Sequence, residues 1–255
     1  MVDQDDIDRF KELNYDGFRR LAREPGISNN QRIGFPDSYR EGFADSILVD
    51  ICTKLPVLTR SGGTIVDIGP GCGELSEKLI NLCAERQHRL VLVDSTEMLN
   101  LLPDADFITK VPGQFPDNIA TLTALLPDGA DALLCYSVLH YLLQDFDIEL
   151  ISTSVSKLLR RKGSALFGDI PNISKRKRFF SSDEGREFHR NYTGRDEYPT
   201  DLLNEPEEGK ITDHTLEVFI SCFREDGLNA KIVEQGELLP MYNRRDDLLI
   251  EPDLE

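Results

Sequence analysis

The chain has 255 residues, 40% of them hydrophobic and 29% charged, and a formal charge of −17 at pH 7. A chain of this size buries a core without disulfides or metals. Its five cysteines are odd in number and never form a CxxC pair, which argues against a disulfide framework and a structural zinc site. So acidic a surface repels a phosphate backbone on average, and no apolar run approaches the roughly 20 residues that span a bilayer. Nucleic acid and membrane are therefore set aside as partners. The opening MVDQDDIDRFKEL is acidic and lacks the basic-then-apolar layout of a signal peptide, so the chain is read as cytoplasmic.

Along the chain, Asp5–Arg23 carries Ile7, Phe10, Leu13, Phe18 and Leu21 at helical spacing. A breaker-rich stretch follows from Glu24 to Pro36. A second amphipathic helix is predicted over Asp37–Leu55, with Tyr39, Phe43, Ile47, Leu48 and Ile51 on one side. Residues 1–36 are read as an N-terminal helical cap and 37–255 as the main domain. From Gly63 onward short apolar runs alternate with helical stretches. Strands are predicted at Thr64–Ile68, Leu90–Val93, Asp106–Ile108, Ala130–Tyr136 and Ser164–Gly168. Helices are predicted at Glu74–Glu85, Glu97–Leu102, within Asn118–Leu126, and at Asp147–Leu159. Such alternation gives an α/β fold, a doubly wound and mostly parallel sheet joined by right-handed crossovers. Residues Ile170–Lys210 break the pattern and are read as a lid insertion. A helix at Thr212–Arg224 and strands at Ala230–Val233 and Asp247–Ile250 close the chain.

The most informative segment runs from Thr64 to Ser76, an apolar strand leading into Gly69-Pro70-Gly71-Cys72-Gly73 and then a helix. Glycines let a backbone turn sharply and approach a ligand, and the helix start offers free N–H groups. The dinucleotide fingerprint G-x-G-x-x-G fails here, because Glu74 stands where its third glycine belongs. Glu74 and Asp67 are poor neighbours for a pyrophosphate and better ones for a cationic or zwitterionic ligand.

At these residues the chain resembles the class I S-adenosylmethionine-dependent methyltransferases. Their first motif, an apolar strand ending in an acid before G-x-G-x-G, is matched by Val66 to Gly73, including Asp67, Gly69, Pro70, Gly71 and Gly73. The resemblance implies a Rossmann-like sheet with an antiparallel last strand and S-adenosylmethionine as cofactor. It places the ribose acid at Asp94, followed by Ser95, at about the ~20-residue offset of an acid that reads a ribose diol. Gln114 and Phe115 fall where the family contacts adenine, and Gln114 departs from the more common aspartate. Tyr136 and Ser137, after the fourth strand, are expected to line the pocket. There the chain reads Cys135-Tyr136-Ser137-Val138 and lacks the N/D-P-P-Y of base-amine methyltransferases.

Methyl transfer is an in-line displacement in which alignment of nucleophile and methyl does much of the work. A base is needed only for a protonated nucleophile, and His140 is the candidate, since imidazole titrates near neutrality. The dense basic run Lys175, Arg176, Lys177 and Arg178 follows the fifth strand, with Arg186, His189, Arg190, Tyr192 and Arg195 beyond it. Beside a pocket such a run suggests an anionic substrate. Tyr242 and Arg244 are a second source of substrate contacts. The expected activity is methylation of an oxygen or nitrogen on a small polar, anionic metabolite such as a sugar nucleotide, sugar phosphate or specialised metabolite. A homodimer is compatible with this reading, and no metal is expected. The alternatives are a non-catalytic cofactor-binding assembly or regulatory protein and, behind it, a protein or RNA methyltransferase.

Overall fold

The structure, a computed structural model, describes residue 10 and residues 13–36, 42–194 and 200–253. Seven strands form one sheet: β1 (Thr64–Ile68), β2 (Arg89–Asp94), β3 (Ile108–Pro112), β4 (Ala130–Tyr136), β5 (Leu159–Pro171), β6 (Leu228–Val233) and β7 (Arg245–Pro252). Their order is β3-β2-β1-β4-β5-β7-β6. The first five run parallel, and β7 lies antiparallel to both β5 and β6. Strand order reverses between β1 and β4, and the carboxyl ends of the strands there open a crevice where open α/β sheets take their ligands.

Helices cover both faces, which is why β1, β2 and β4 are almost continuously apolar. Alternate residues feed separate cores. Val66, Ile68, Leu133, Cys135 and Phe167 pack with α6 (Ile119–Leu125), α8 (Ile148–Leu158) and α12 (Asp213–Glu225). Ile65, Leu92, Leu134 and Leu166 pack with α3 (Ala44–Lys54), α4 (Glu74–Glu85) and α5 (Thr96–Leu99). The remaining helices are α1 (Tyr15–Arg23), α2 (Asn29–Arg32), α7 (Leu139–Asp145), α9 (Ile173–Ser181), α10 (Asp183–Thr193) and α11 (Thr200–Leu203).

β1, β4 and α4 fall where the sequence predicts them. The helices predicted over Asp5–Arg23 and Asp37–Leu55 are described only as α1 and α3; Ile7 and Tyr39 lie outside the described residues. The third strand sits later than its apolar signal. Asp106 and Phe107 end a loop, and Lys110 turns back to Asp104 and the Leu102 carbonyl. β5 exceeds its apolar run at both ends, because charged Arg160–Lys162 extend it into solvent. The excursion after β5 is helical. Asn172 caps α9 and Ser182 caps α10, each side chain accepting a backbone N–H.

Candidate functional site

The glycine loop connects β1 to α4 in the crevice. Gly69 and Gly71 both hold positive φ, 69° and 63°, conformations that glycine takes without strain. Room is also short. A Cβ at Gly69 would fall 2.6 Å from Val138 Cγ2, and one at Gly71 2.6 Å from Ile33 Cγ2. The loop is thus pressed between the end of β4 and the N-terminal segment.

Asp94, at the end of β2, reaches across to this loop. Its carboxylate accepts the Gly71 N–H at 3.2 Å and the Ser95 N–H at 2.6 Å. Asp67 lies beneath, 4% exposed. Burial, and secondarily the charge of Asp94, pushes the Asp67 carboxyl up to about 8. Burial raises Asp94 to about 6 against its backbone hydrogen bonds. Neither acid has a cationic partner among the described residues. Two buried carboxyls without a cation are costly, and a positively charged ligand in this pocket would relieve that cost.

Gly69, Pro70, Gly71, Gly73, Asp94, Gln114, Phe115, Tyr136 and Ser137 line a single pocket. Two predicted members do not. Asp67 is below the floor, and the Ser95 hydroxyl is committed to capping α5 through the Met98 N–H. Gln114 lines the pocket while its amide donates to Asp145 at 2.8 Å.

The sequence reading placed a helical cap on the N-terminal side but assigned to the site none of the residues that line the pocket from it. Tyr15, Phe18, Asn30, Ile33 and Phe35 close the pocket from the N-terminal side. Burial, and secondarily the Asp94 charge, raises the Tyr15 hydroxyl. Arg19 grips Glu97 with two hydrogen bonds of 3.0 Å, and Arg23 joins the same carboxylate. On the far side Phe18 meets Tyr141 edge-on, with centroids 4.8 Å apart, and Gln144 donates to the Leu13 carbonyl. The available signal was the capping pair Ser28 and Gln31, which marks a helix inside the breaker-rich stretch.

A second, larger cavity of about 1130 Å³ lies on the other side of α7. Val138, Tyr141 and Leu142 face the first pocket, whereas His140, Leu143 and Gln144 face the second. His140 does not have the environment expected of a near-neutral base. Burial and the Arg245 guanidinium pull its imidazole down to about 3, against Asp169, and its buried Nδ1 has no hydrogen-bond partner among the described residues. At neutral pH the ring is uncharged and weakly basic.

Each cation of the basic run is paired with a carboxylate. Lys175 holds Asp246 at 2.8 Å and the Arg245 carbonyl, Arg176 holds Glu205 at 2.7 Å, Lys177 holds Glu207 at 2.9 Å, and Arg178 holds Asp213. Of the predicted substrate residues, Arg176 and Arg244 line the second cavity. Lys175, Arg178 and Tyr242 do not, and Tyr242 packs on the apolar core instead. Arg195 lies outside the described residues.

Ser137, just past β4, and Asp169, near the end of β5, hold positive φ of 61° and 55°, and the Ser137 hydroxyl donates to Asp169. Arg245 donates to the Asp169 carbonyl at 3.0 Å, and Asp247 accepts the Asp169 N–H at 2.8 Å. Non-glycine residues in this backbone region are strained and cluster at functional sites.

No protein-family model matches the chain, and no curated protein is similar to it in sequence. Solved structures share its fold. N-methyltransferase NodS from Bradyrhizobium japonicum WM9, bound to S-adenosyl-L-homocysteine, superposes with a TM-score of 0.53 at 16% identity, over 94% of this chain and 98% of that one. The plantazolicin methyltransferase BpumL, bound to S-adenosylhomocysteine and a triazolic desmethylplantazolicin analogue, gives 0.52 at 14%, over 96% and 99%. A putative S-adenosylmethionine-dependent methyltransferase of Methanococcus maripaludis gives 0.51 at 16%, over 96% of each chain. Strand order, the antiparallel β7 and the glycine loop at the switch point all agree: the chain has the class I methyltransferase fold.

Proposed function

We propose that the protein is an S-adenosylmethionine-dependent methyltransferase acting on a small molecule. The observation that carries this is the pair Asp67 and Asp94, buried with no cation among the described residues around a glycine loop at the ends of β1 and β2. A sulfonium or ammonium group satisfies such a site, and a pyrophosphate does not. Asp94 can exchange its Gly71 contact for the hydroxyls of a ribose, since a carboxylate accepts two donors at once. Gly69, Pro70, Gly71 and Gly73 would hold the amino-acid portion. Gln114, Phe115, Tyr136 and Ser137 would border the adenosine. When bound, the cofactor supplies an electrophilic methyl group. This chain's residues exclude water from the cofactor with the Tyr15–Phe18 roof.

In this reading the N-terminal helices cap the cofactor, and α9–α11 form the lid over the acceptor. A sugar phosphate loses its main support, because each of Lys175, Arg176, Lys177 and Arg178 is paired with a carboxylate of this chain. Calorimetry tests the assignment. S-adenosylmethionine and S-adenosylhomocysteine are expected to bind, and NAD is not. Asp94→Ala should weaken binding by about 1–3 kcal/mol, the cost of leaving buried ligand hydroxyls unpaired. NAD binding, or no adenosyl ligand bound, would overturn it.

A further inference from the structure

We propose that Asp145 fixes the orientation of the Gln114 amide and so makes the cofactor pocket selective for a purine that carries an exocyclic amino group. The inference rests on the cofactor reading above and deepens it. A primary amide has donors at one end and an acceptor at the other, and which end meets a ligand depends on what holds the opposite one. An ionised carboxylate only accepts. The end of Gln114 that faces Asp145 is therefore its nitrogen, which donates at 2.8 Å. The carbonyl oxygen is the end turned away from Asp145, on a side chain that lines the cofactor pocket. An oxygen there accepts from an amino group, and a purine lacking one has nothing to donate to it.

The surroundings hold Gln114 beside the proposed ribose acid. Asp94 pairs with Pro112 across β2 and β3, and the Gly113 N–H donates to the Asp94 carbonyl at 2.9 Å. Gln114 follows directly, and Phe115 after it is buried in the core, which anchors the backbone on that side. Asp145 approaches from a different element. It is the last residue of α7, whose Tyr141 and Leu142 line the same pocket. A helix C-terminus favours a cation, so a carboxylate at this position is disfavoured by the helix itself. No ion pair among the described residues offsets that cost at Asp145, whereas the bond from Gln114 does. The acid serves the amide rather than the helix.

Calorimetry with S-adenosylhomocysteine and its analogue bearing hydrogen in place of the exocyclic amino group provides the test, and the quantity read is the ratio of the two affinities. Wild type is expected to prefer the adenosyl ligand by about fivefold or more, the effect of leaving the Gln114 oxygen without a donor. In Asp145→Ala the amide can turn its nitrogen to the purine ring, and the preference should fall to about twofold or less. Gln114→Glu/Asp145→Ala should regain it, because a carboxylate presents an acceptor whichever way it turns. A residue that merely tied α7 to the loop after β3 would weaken both ligands alike and leave the ratio unchanged in Asp145→Ala. That result, equal affinities in wild type, or a double variant that does not regain the preference would each overturn the inference. Failure of wild type to bind S-adenosylhomocysteine at all would sink the methyltransferase reading itself, whereas binding with any of those results would sink only the role of Asp145.

Discussion

At the residue scale, Asp67 and Asp94 couple cofactor binding to protons. Burial raises Asp67 to about 8 and Asp94 to about 6, so the folded protein holds protons that the unfolded chain has already released above the ordinary carboxylate range. Between that range and about 8 the native state therefore binds more protons than the unfolded state, and stability falls as pH rises. The expected measurement is a melting temperature of the ligand-free protein that declines from pH 5 to pH 8, with a flatter profile in Asp67→Asn. A cationic ligand favours the ionised forms. Binding of S-adenosylmethionine at pH 7 should release protons, seen as a buffer-dependent heat, and Asp67→Asn should reduce that release. Both acids were legible in the sequence as strand-terminal carboxylates. Their lack of a cation was not, because it depends on what fails to approach them in three dimensions.

At the element scale, α1 is fastened to α5 chiefly through Glu97, which Arg19 and Arg23 share. Glu97 is 13% exposed and the two arginine side chains 40% and 60%, so the latch is largely wet. Pairs of this kind contribute about 1 kcal/mol or less. Glu97→Gln is therefore expected to speed dissociation of S-adenosylhomocysteine by roughly two- to fivefold, with added salt narrowing the gap to wild type; stopped-flow displacement would show it. An unchanged rate would mean that the cofactor leaves without lifting α1. The sequence made β1, β4 and α4 readable through long apolar periodicity and clear terminal glycines. It misplaced β3, since Thr109 and Lys110 on an edge strand carry no apolar signal. The helices after β5 were not read from the sequence, which took Ile170–Lys210 only as a lid insertion, because α10 buries only Gly185 and so carries little apolar periodicity. His140 illustrates the same limit: its identity suggested a base, and its surroundings made it a poor one.

At the scale of the whole molecule, one buried ion pair binds the two ends of the fold. Lys54, at the end of α3, lies 2.7 Å from Asp247 of β7 and 2.5 Å from Asp50. Asp247 is fully buried and also accepts the Gln235 amide and the Asp169 N–H, each at 2.8 Å. Burial raises the Asp247 carboxyl while Lys54 opposes the shift. Removing one partner of such a pair strands the other without compensation. Lys54→Met should destabilise the protein by about 3–5 kcal/mol in urea unfolding, and Lys54→Met/Asp247→Asn should recover much of the loss. Recovery would show that the penalty comes from an isolated charge rather than from lost packing. A single-variant effect below about 1 kcal/mol would show that water reaches the pair and screens it.

The partition formed by α7 has a thermodynamic consequence. Its Val138–Tyr141–Leu142 side belongs to one chamber and its His140–Leu143–Gln144 side to the other. A helix of seven residues cannot tilt on one side alone. If a ligand in either chamber displaces it, the other chamber's affinity changes, and reciprocity makes the two effects equal in size whichever ligand arrives first. Order of arrival then becomes a property of concentrations rather than of the fold. A weak occupant of one chamber can be amplified by saturating the other.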